Sequence, residues 1–467
     1  MFFNIIDSDC SSGCSTAPLI NPRTKRNLWD VPVASKADID IAVQAARRAF
    51  GSWKLLTLEK RQHYLLELAD KLETERNEIH YALANETGKS DLLAQMEIDD
   101  SLDFIKFNAS QPLDDEVEFE DEKLKIISTH APIGVVGAIC PWNFPLVLAV
   151  AKIAAALVTG NCIIVKPSPF TPCATLKFAE LAIPILPPGV LQALNGNNDI
   201  GQIMTLHPGI DKISFTGSTA TGKKVAENAA RTLKRVTLEL GGNDASIVCP
   251  DVDVQAVATK LALGVFFHSG QMCVATKRVY VHQIIFAEFR DAFVQAVRAI
   301  EVKVAGHQPS LFSPLQNKMQ YDIVKELIKD SRGNGYNIIC GGEPEEGLPG
   351  FFITPTVVDR PPDDSQIVQK EQFGPIIPLM EWSAEDEVVA RVNDTDAGLG
   401  SCVWASDIAT AERIARKLEV GTVWINNFEV PSPYGYFSGW KQSGVGGEWG
   451  RQGLRSYCHT QTIQFYN

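Results

Sequence analysis

Between Ile133 and Lys224 the chain alternates short, wholly apolar runs with helical ones, and this rhythm limits its fold more than any other feature. Ile133–Cys140 and Cys162–Lys166 read as buried strands, Leu146–Val158 between them as a helix, and Ile210–Phe215 as a further strand that runs into a glycine-rich helix start at Thr216–Lys224. Strands apolar on both faces belong to a parallel sheet covered by helices on each side. From Gly242 a second block repeats the pattern, with a strand at Ala245–Val248, a helix at Val254–Phe267, a strand at Arg278–Val281, helices at Phe286–Ile300 and Leu315–Ser331, and a strand at Thr422–Asn426. The 467 residues, 45% of them hydrophobic, suffice for two or more domains with sizeable cores.

The remainder reads as cover and surface. Val31–Val33 is expected to form an edge strand. Ser35 and Asp38 form a capping box, and Ile39, Val43, Ala46 and Phe50 keep a helical stripe; Leu58–Leu83 and Ser90–Phe107 continue as amphipathic helices with a turn at Gly88. Residues 7–18, with Cys10 and Cys14, read as a flexible lead-in carrying surface thiols rather than a metal site. Residues 117–127 alternate as a hairpin turning at Asp121–Lys123, too small to stand alone, and the tail Thr460–Tyr466 alternates in a way that suits pairing with a neighbouring chain. A net charge of −13 argues against nucleic acid or an anionic membrane surface as partner. The ten cysteines form no CxxC pair, no metal site is expected, and neither a signal peptide nor an apolar run of spanning length is visible, so a reducing, cytoplasmic setting is expected.

Three short stretches carry chemistry. In Phe266–Ala275, Cys273 follows Gly270 and begins a run read as helical from Met272, which would aim amide N–H groups at a reacting carbonyl and favour the thiolate. Taken alone, it equally fits a small buried hydrophobe. In Thr237–Asn243, Glu239 lies inside an apolar strand that ends in glycines, where burial raises a carboxyl group toward the pKa of a general base; a strand-end ion pair is the alternative. Asn143, between Pro141 and Pro145, offers a side-chain amide to an oxyanion, or merely makes a turn. The Thr216–Lys224 turn lacks the Ser or Thr that should follow its Gly-Lys for a Mg-nucleotide loop, and it lacks GxGxxG, yet its helix start would suit a phosphate.

Together, Pro141-Trp-Asn-Phe-Pro145, Leu238-Glu-Leu-Gly-Gly242, Gly270-Gln-Met-Cys273 and Glu371-Gln-Phe-Gly-Pro375 resemble the motifs of the aldehyde dehydrogenase superfamily, in the same order, and the similarity runs from about Asn21 to the C-terminus. The resemblance implies an α/β fold with a Rossmann-like cofactor domain (residues 1–115 and 132–240), an α/β catalytic domain (241–427) and a small β oligomerisation element (116–131 and 447–467). It implies Cys273 as nucleophile, Asn143 as oxyanion donor, Glu239 as base, and Lys152 with Glu448 as a proton relay, although those two would equally serve as a helix-surface ion pair. NAD(P) would be held by Cys140, Pro141, Trp142, Lys166, Ser168, Pro169, Gly217, Ser218, Gly222, Leu240, Glu371 and Phe373. Two positions depart from the pattern. Pro169 stands where many NAD-preferring members carry a ribose-binding Glu, which keeps NAD first but leaves NADP open. Gly447 stands where Arg is common.

The implied reaction is oxidation of an aldehyde to its acid through a thiohemiacetal and a thioester on Cys273. Phe144, Val147, Leu148, Ala151, Phe267, Met272, Phe428 and Phe437 map to the substrate tunnel of the family, and their apolar character favours an uncharged aliphatic or aromatic aldehyde. A homodimer or homotetramer is implied. The alternatives are a coenzyme A-acylating enzyme, which Glu239 disfavours, and a non-catalytic binding protein. A cofactor-free cysteine hydrolase is weaker, because the nearest His, His268, is expected to face away.

Overall fold

A computed structural model describes residues 1–13, 15–302, 310–344 and 347–466; Cys14 lies outside them. Two parallel sheets dominate. The first has eight strands in the spatial order Asp9–Ser11, Asn4–Ile6, Leu191–Ala193, Cys162–Lys166, Val135–Ile139, Lys212–Thr216, Arg235–Glu239 and Gly444–Val445. The five from Leu191–Ala193 to Arg235–Glu239 run parallel and are packed between helices, which is why their sequences carry apolar residues on both faces. The second sheet has seven strands, ordered Asn337–Cys340, Thr356–Asp359, Ile376–Trp382, Arg278–His282, Ala245–Val248, Gly400–Trp404 and Thr422–Ile425, all parallel except the first pair.

The N-terminal half supplies helical cover, as its periodicity predicts. Lys36–Trp53 starts with the expected capping box between Ser35 and Asp38 and buries Ile39, Val43 and Ala46. The single helix read at Leu58–Leu83 is two, Leu58–Thr74 and Arg76–Thr87, broken at Glu75; Gly88 ends the second in the left-handed region at φ 75°. Asp91–Ser110 follows, capped by Ser90.

Two surface readings need correction. The described residues of 7–18 are no loose lead-in: Asp9–Ser11 pairs with Asn4–Ile6 at the edge of the first sheet, Ser15–Ile20 pairs with Asn27–Val33, Asn4 Oδ1 accepts from the Asn195 N–H at 2.8 Å, and Gln192 Oε1 accepts from Asp7 N–H at 3.1 Å. The tail finds its partner within its own chain. Cys458–Tyr466 pairs antiparallel along Leu124–Pro132, whose other edge carries Glu116–Glu120, so the ribbon becomes a three-stranded sheet. Gly447, at the position of the expected Arg, pairs with Ser438 and is buried.

Asn161 joins the tail region to the first sheet. It is fully buried; its Oδ1 accepts from the Gly134 N–H at 2.8 Å, and its Nδ2 donates to Thr159 Oγ1 and to the Tyr457 carbonyl, both at 2.8 Å. Asn161→Ala leaves those buried backbone groups unpaired and is expected to destabilise the protein by about 2–4 kcal/mol in urea denaturation. An unchanged denaturation midpoint would contradict this role.

Candidate active site

The carboxyl ends of the parallel strands in the first sheet gather the polar groups, the position where open α/β sheets bind ligands. Glu239 ends its strand and is buried; its Oε2 accepts from Thr216 Oγ1 at 3.2 Å, while Oε1 has no partner. Burial, together with the nearby Glu448 charge, pushes its carboxyl up to about 8 against the opposing pull of Lys152. That places it near the pKa a general base requires around neutrality.

Lys152 comes from the helix Pro145–Val158 and has 0% exposure. Its Nζ donates to Glu448 Oε2 at 2.6 Å and stands 4.0 Å from Glu239 Oε2. A surface ion pair is therefore excluded. Glu448 also accepts from Ser214 Oγ and from the Tyr457 hydroxyl, the latter at 3.0 Å. Burial opposes its charge, but Lys152, by charge and by its bond, and then the Ser214 hydroxyl and the Lys212 charge hold its carboxyl below the usual range.

Cys273 lies at the entry to the second sheet, half-buried, five residues before the strand Arg278–His282. The run from Met272 is not helical. Phe267–Gly270 forms a 3₁₀ turn in which His268, Ser269 and Gly270 are all left-handed, with φ of 47°, 58° and 70°, and residues 272–275 make a tight turn. Two consecutive non-glycine residues in that region cost about 1–3 kcal/mol each. Gly270 is required: a Cβ there would come 2.7 Å from the Gly374 carbonyl oxygen. Burial pushes the Cys273 thiol up to about 12; Lys277 pulls it down, and Glu371, Glu239 and Asp244 raise it.

Asn143 is buried beside this turn, and its Nδ2 donates to the Gln271 carbonyl at 2.9 Å, which leaves one amide N–H for an oxyanion. His268 packs its edge on the Phe144 ring and bonds Ser313 Oγ at 2.7 Å through Nδ1, so its bonding is to the scaffold. Phe144 also carries the buried Lys89 ammonium 3.7 Å from its ring centre; Lys89 pairs with Glu97, whose Oε1 accepts from the Leu146 and Val147 N–H groups.

Most of the apolar tunnel residues come together. Met272, Phe437, Phe144 and Phe267 share one cluster with Cys273, and Val147, Ala151, Leu148 and Phe144 share another. Phe428 does not join them; it packs against Gly264 and the core behind the helix Val254–Val265, because the chain beyond Thr422–Ile425 turns its side chain that way. Two aromatic residues absent from the sequence reading link the clusters. Trp449 stacks on Phe437 with centroids 4.5 Å apart and meets Phe104 at 5.1 Å. The adjacency of Trp449 to Glu448 was the available signal.

Most of the cofactor candidates fall along the same strand ends, and Glu371 and Phe373 come from the segment before Ile376–Trp382 of the second sheet. Lys166 is 4% exposed and does not reach solvent; burial draws its ammonium down to about 8, and its Nζ donates only to the Pro167 carbonyl at 3.2 Å. Cys140 is tied by its N–H to the Lys166 carbonyl, and Ser168 is buried beside the exposed Pro169. Ser218 caps the helix Thr219–Ala230, and Gly217 donates its N–H to the Glu239 carbonyl. A side chain at Gly222 would overlap Leu240, itself bonded through its N–H to the Ser443 carbonyl. Glu371 Oε1 accepts from the Gly242 N–H at 3.2 Å, and Phe373, at φ 47°, meets Trp142 edge-on at 5.3 Å.

The sequence model of the aldehyde dehydrogenase family matches residues 10–463. The chain belongs to the aldehyde dehydrogenase family. Among its aldehyde dehydrogenase relatives, a putative aldehyde dehydrogenase FUS7 of Gibberella fujikuroi is 44% identical over 465 residues, covering 100% of this chain and 99% of its own. A chloroplastic betaine aldehyde dehydrogenase of Beta vulgaris is 37% identical, covering 96% and 92%. The structure of an NAD+ complex of a Bacillus cereus aldehyde dehydrogenase superposes with a TM-score of 0.96 at 33% identity, covering 100% of this chain and 96% of that one. The chain has the aldehyde dehydrogenase fold and is an oxidoreductase of that family. Among the described residues, no helix is long and apolar enough to cross a membrane.

Lys152→Met would leave Glu448 and Glu239 buried without their shared cation. The variant is expected to lose about 3–5 kcal/mol of stability. Both carboxyl groups would then have raised pKa values and fold best when neutral, so the loss grows as pH rises; denaturation at acidic and alkaline pH checks this, and a pH-independent loss would contradict it.

Proposed function

We propose that the protein oxidises an uncharged aliphatic or aromatic aldehyde to its carboxylic acid with NAD(P), through covalent intermediates on Cys273. The observation that carries this reading is the convergence of the Cys273 turn, the Asn143 amide bonded to that turn, and a buried Glu239 whose charge acts on the thiol. The Cys273 thiolate adds to the aldehyde carbon; the second Asn143 N–H and the Cys273 N–H receive the oxyanion, each contributing about 3 kcal/mol. When bound, NAD(P) supplies the acceptor for the hydride. Glu239, its Oε1 free, takes a proton from the water that attacks the thioester, and the thiolate leaves. Lys152 and Glu448 relay that proton outward.

The chain's fit to NAD(P) rests on the buried Lys166, the Ser218 helix start, the close packing of Gly222 on Leu240, which only a glycine allows, and Glu371. Lys166 and Glu371 would hold the two riboses, and the exposed Pro169 leaves room for a 2′-phosphate. NAD remains first, in keeping with the NAD+ complex of the Bacillus cereus relative. We divide the chain into a cofactor domain (1–115, 132–240), a catalytic domain (241–427) and an oligomerisation element (116–131, 447–467). Val117, Phe119, Ile463 and Phe465 lie exposed on the three-stranded sheet and support self-association as a dimer or tetramer. The described cysteines are all free, in keeping with a reducing, cytoplasmic setting.

Some relatives are named for betaine aldehyde or aminoaldehydes. For this chain, the apolar side chains gathered around Cys273, among them Phe144, Phe267, Met272 and Phe437, support an uncharged substrate, because they offer a charged group no partner. The test is cofactor reduction by benzaldehyde, hexanal, betaine aldehyde and succinic semialdehyde. We expect higher kcat/KM for the first two, no activity in Cys273→Ala, and a hydrolytic rate that rises with pH and levels near the Glu239 value of about 8. Preference for either charged aldehyde would overturn the substrate class, and activity in Cys273→Ala the mechanism. Acceleration by coenzyme A would favour the acylating alternative.

A further inference from the structure

Lys277 stands four residues after Cys273, and the activity as described does not use it. Its side chain is buried, with its three donors spent on one short piece of backbone: Nζ donates to the Met272 carbonyl at 2.8 Å, to the Cys273 carbonyl at 2.7 Å and to the Ala275 carbonyl at 2.7 Å. An ammonium has three protons, so this set saturates it. The carbonyls so engaged point inward from the turn and would otherwise face a nonaqueous interior. The same ammonium is 4.0 Å from Glu371 Oε1.

Around it lie several buried carboxyl groups. Asp244 is buried, wedged where side chains at Gly242 or Gly400 would collide with it. Glu429 is buried with Oε1 bonded to Thr276 Oγ1 at 2.6 Å and Oε2 without a partner. Lys277 acts on both carboxyl groups, and burial raises each of them. The titratable groups that act on Cys273 are therefore Lys277 on one side and Glu371, Glu239 and Asp244 on the other.

We propose that Lys277 is a positioning residue for the nucleophile, which folds the backbone of the Cys273 turn around its ammonium and sets that positive charge where it stabilises the thiolate. The lysine fixes the turn that takes the place of a helix after Met272, and so aims the Cys273 N–H along with its side chain. It supplies the favourable charge that a helix N-terminus would otherwise have given. Through its 4.0 Å approach to Glu371 Oε1 it also couples the thiol to that carboxyl group. The inference rests on Cys273 being the nucleophile, but its test does not need an aldehyde.

The rate at which iodoacetamide modifies Cys273, read by peptide mass spectrometry on the whole protein without aldehyde, reports thiolate directly. In Lys277→Gln the thiol is expected to titrate about 1 pH unit higher. That reduces the thiolate tenfold at mildly alkaline pH, and the greater nucleophilicity of the more basic thiolate restores about threefold, leaving a net fall of about threefold. Lys277→Arg, which keeps the charge, is expected to recover most of the rate. If Lys277→Gln does not fold, the double variant Lys277→Gln/Asp244→Asn, which removes a carboxylate as well, carries the same expectation, because the lysine acts on the thiol more strongly than Asp244 does. An unchanged or faster modification rate in the glutamine variants, or an arginine variant as slow as the glutamine one, would overturn the proposal. A wild type that is alkylated as expected yet oxidises no aldehyde would defeat the functional reading and leave the role of Lys277 standing.

Discussion

The ammonium of Lys152, buried between Glu448 and Glu239, is the interaction on which the rest of the site depends. It joins a helix that follows the Asn143 turn, the end of the strand Arg235–Glu239 and the segment that returns after Phe437. Only one of the two carboxyl groups is bonded to the Lys152 ammonium, with the buried Lys212 acting on both from further off, and it is Glu239, held out of water without such a bond, whose pKa rises. The position of Lys152 selects which one: its ammonium bonds Glu448 at 2.6 Å and stands 4.0 Å from Glu239, and the Ser214 hydroxyl adds a further bond to Glu448. A strongly solvated pair would have no such asymmetry, and Glu239 would be an ordinary acid with no basic strength near neutrality.

A similar economy governs the thiol. Burial alone would keep Cys273 protonated, and no helix starts at it, because the turn ahead of it is left-handed at three successive residues. The strain of His268 and Ser269 is held by bonds to Ser313 and by the ring of Phe144, and the turn beyond is held by Lys277. The site is assembled from side chains gripping backbone rather than from regular elements.

That distinction marks what was legible in the sequence. The apolar strands Cys162–Lys166 and Ala245–Val248 were readable to the residue, because burial on both faces leaves little choice of side chain. Asn143, Glu239 and Cys273 were readable from motifs, and the structure brings their segments together. Positive φ at His268 and Ser269 was not readable, since neither residue type demands it and the packing of Ser313 enforces it. Glu75 breaks a helix without a Gly or Pro. The tail was recognisable as a strand, but its partner was not, since alternation in Thr460–Tyr466 fixes a face and leaves the pairing open. Phe428 was misassigned because an aromatic residue beside a strand end can turn to either side of the sheet.

The central claim is that Cys273 carries the substrate as a thioester and that Glu239 is needed only to release it. Glu239→Gln, mixed with hexanal and NAD and then examined by peptide mass spectrometry, tests it most directly. The account predicts that the peptide containing Cys273 gains the mass of the hexanoyl group and that one equivalent of NADH forms per site in a burst. Formation of NADH over many turnovers without an adduct, or an adduct on any other residue, would contradict it.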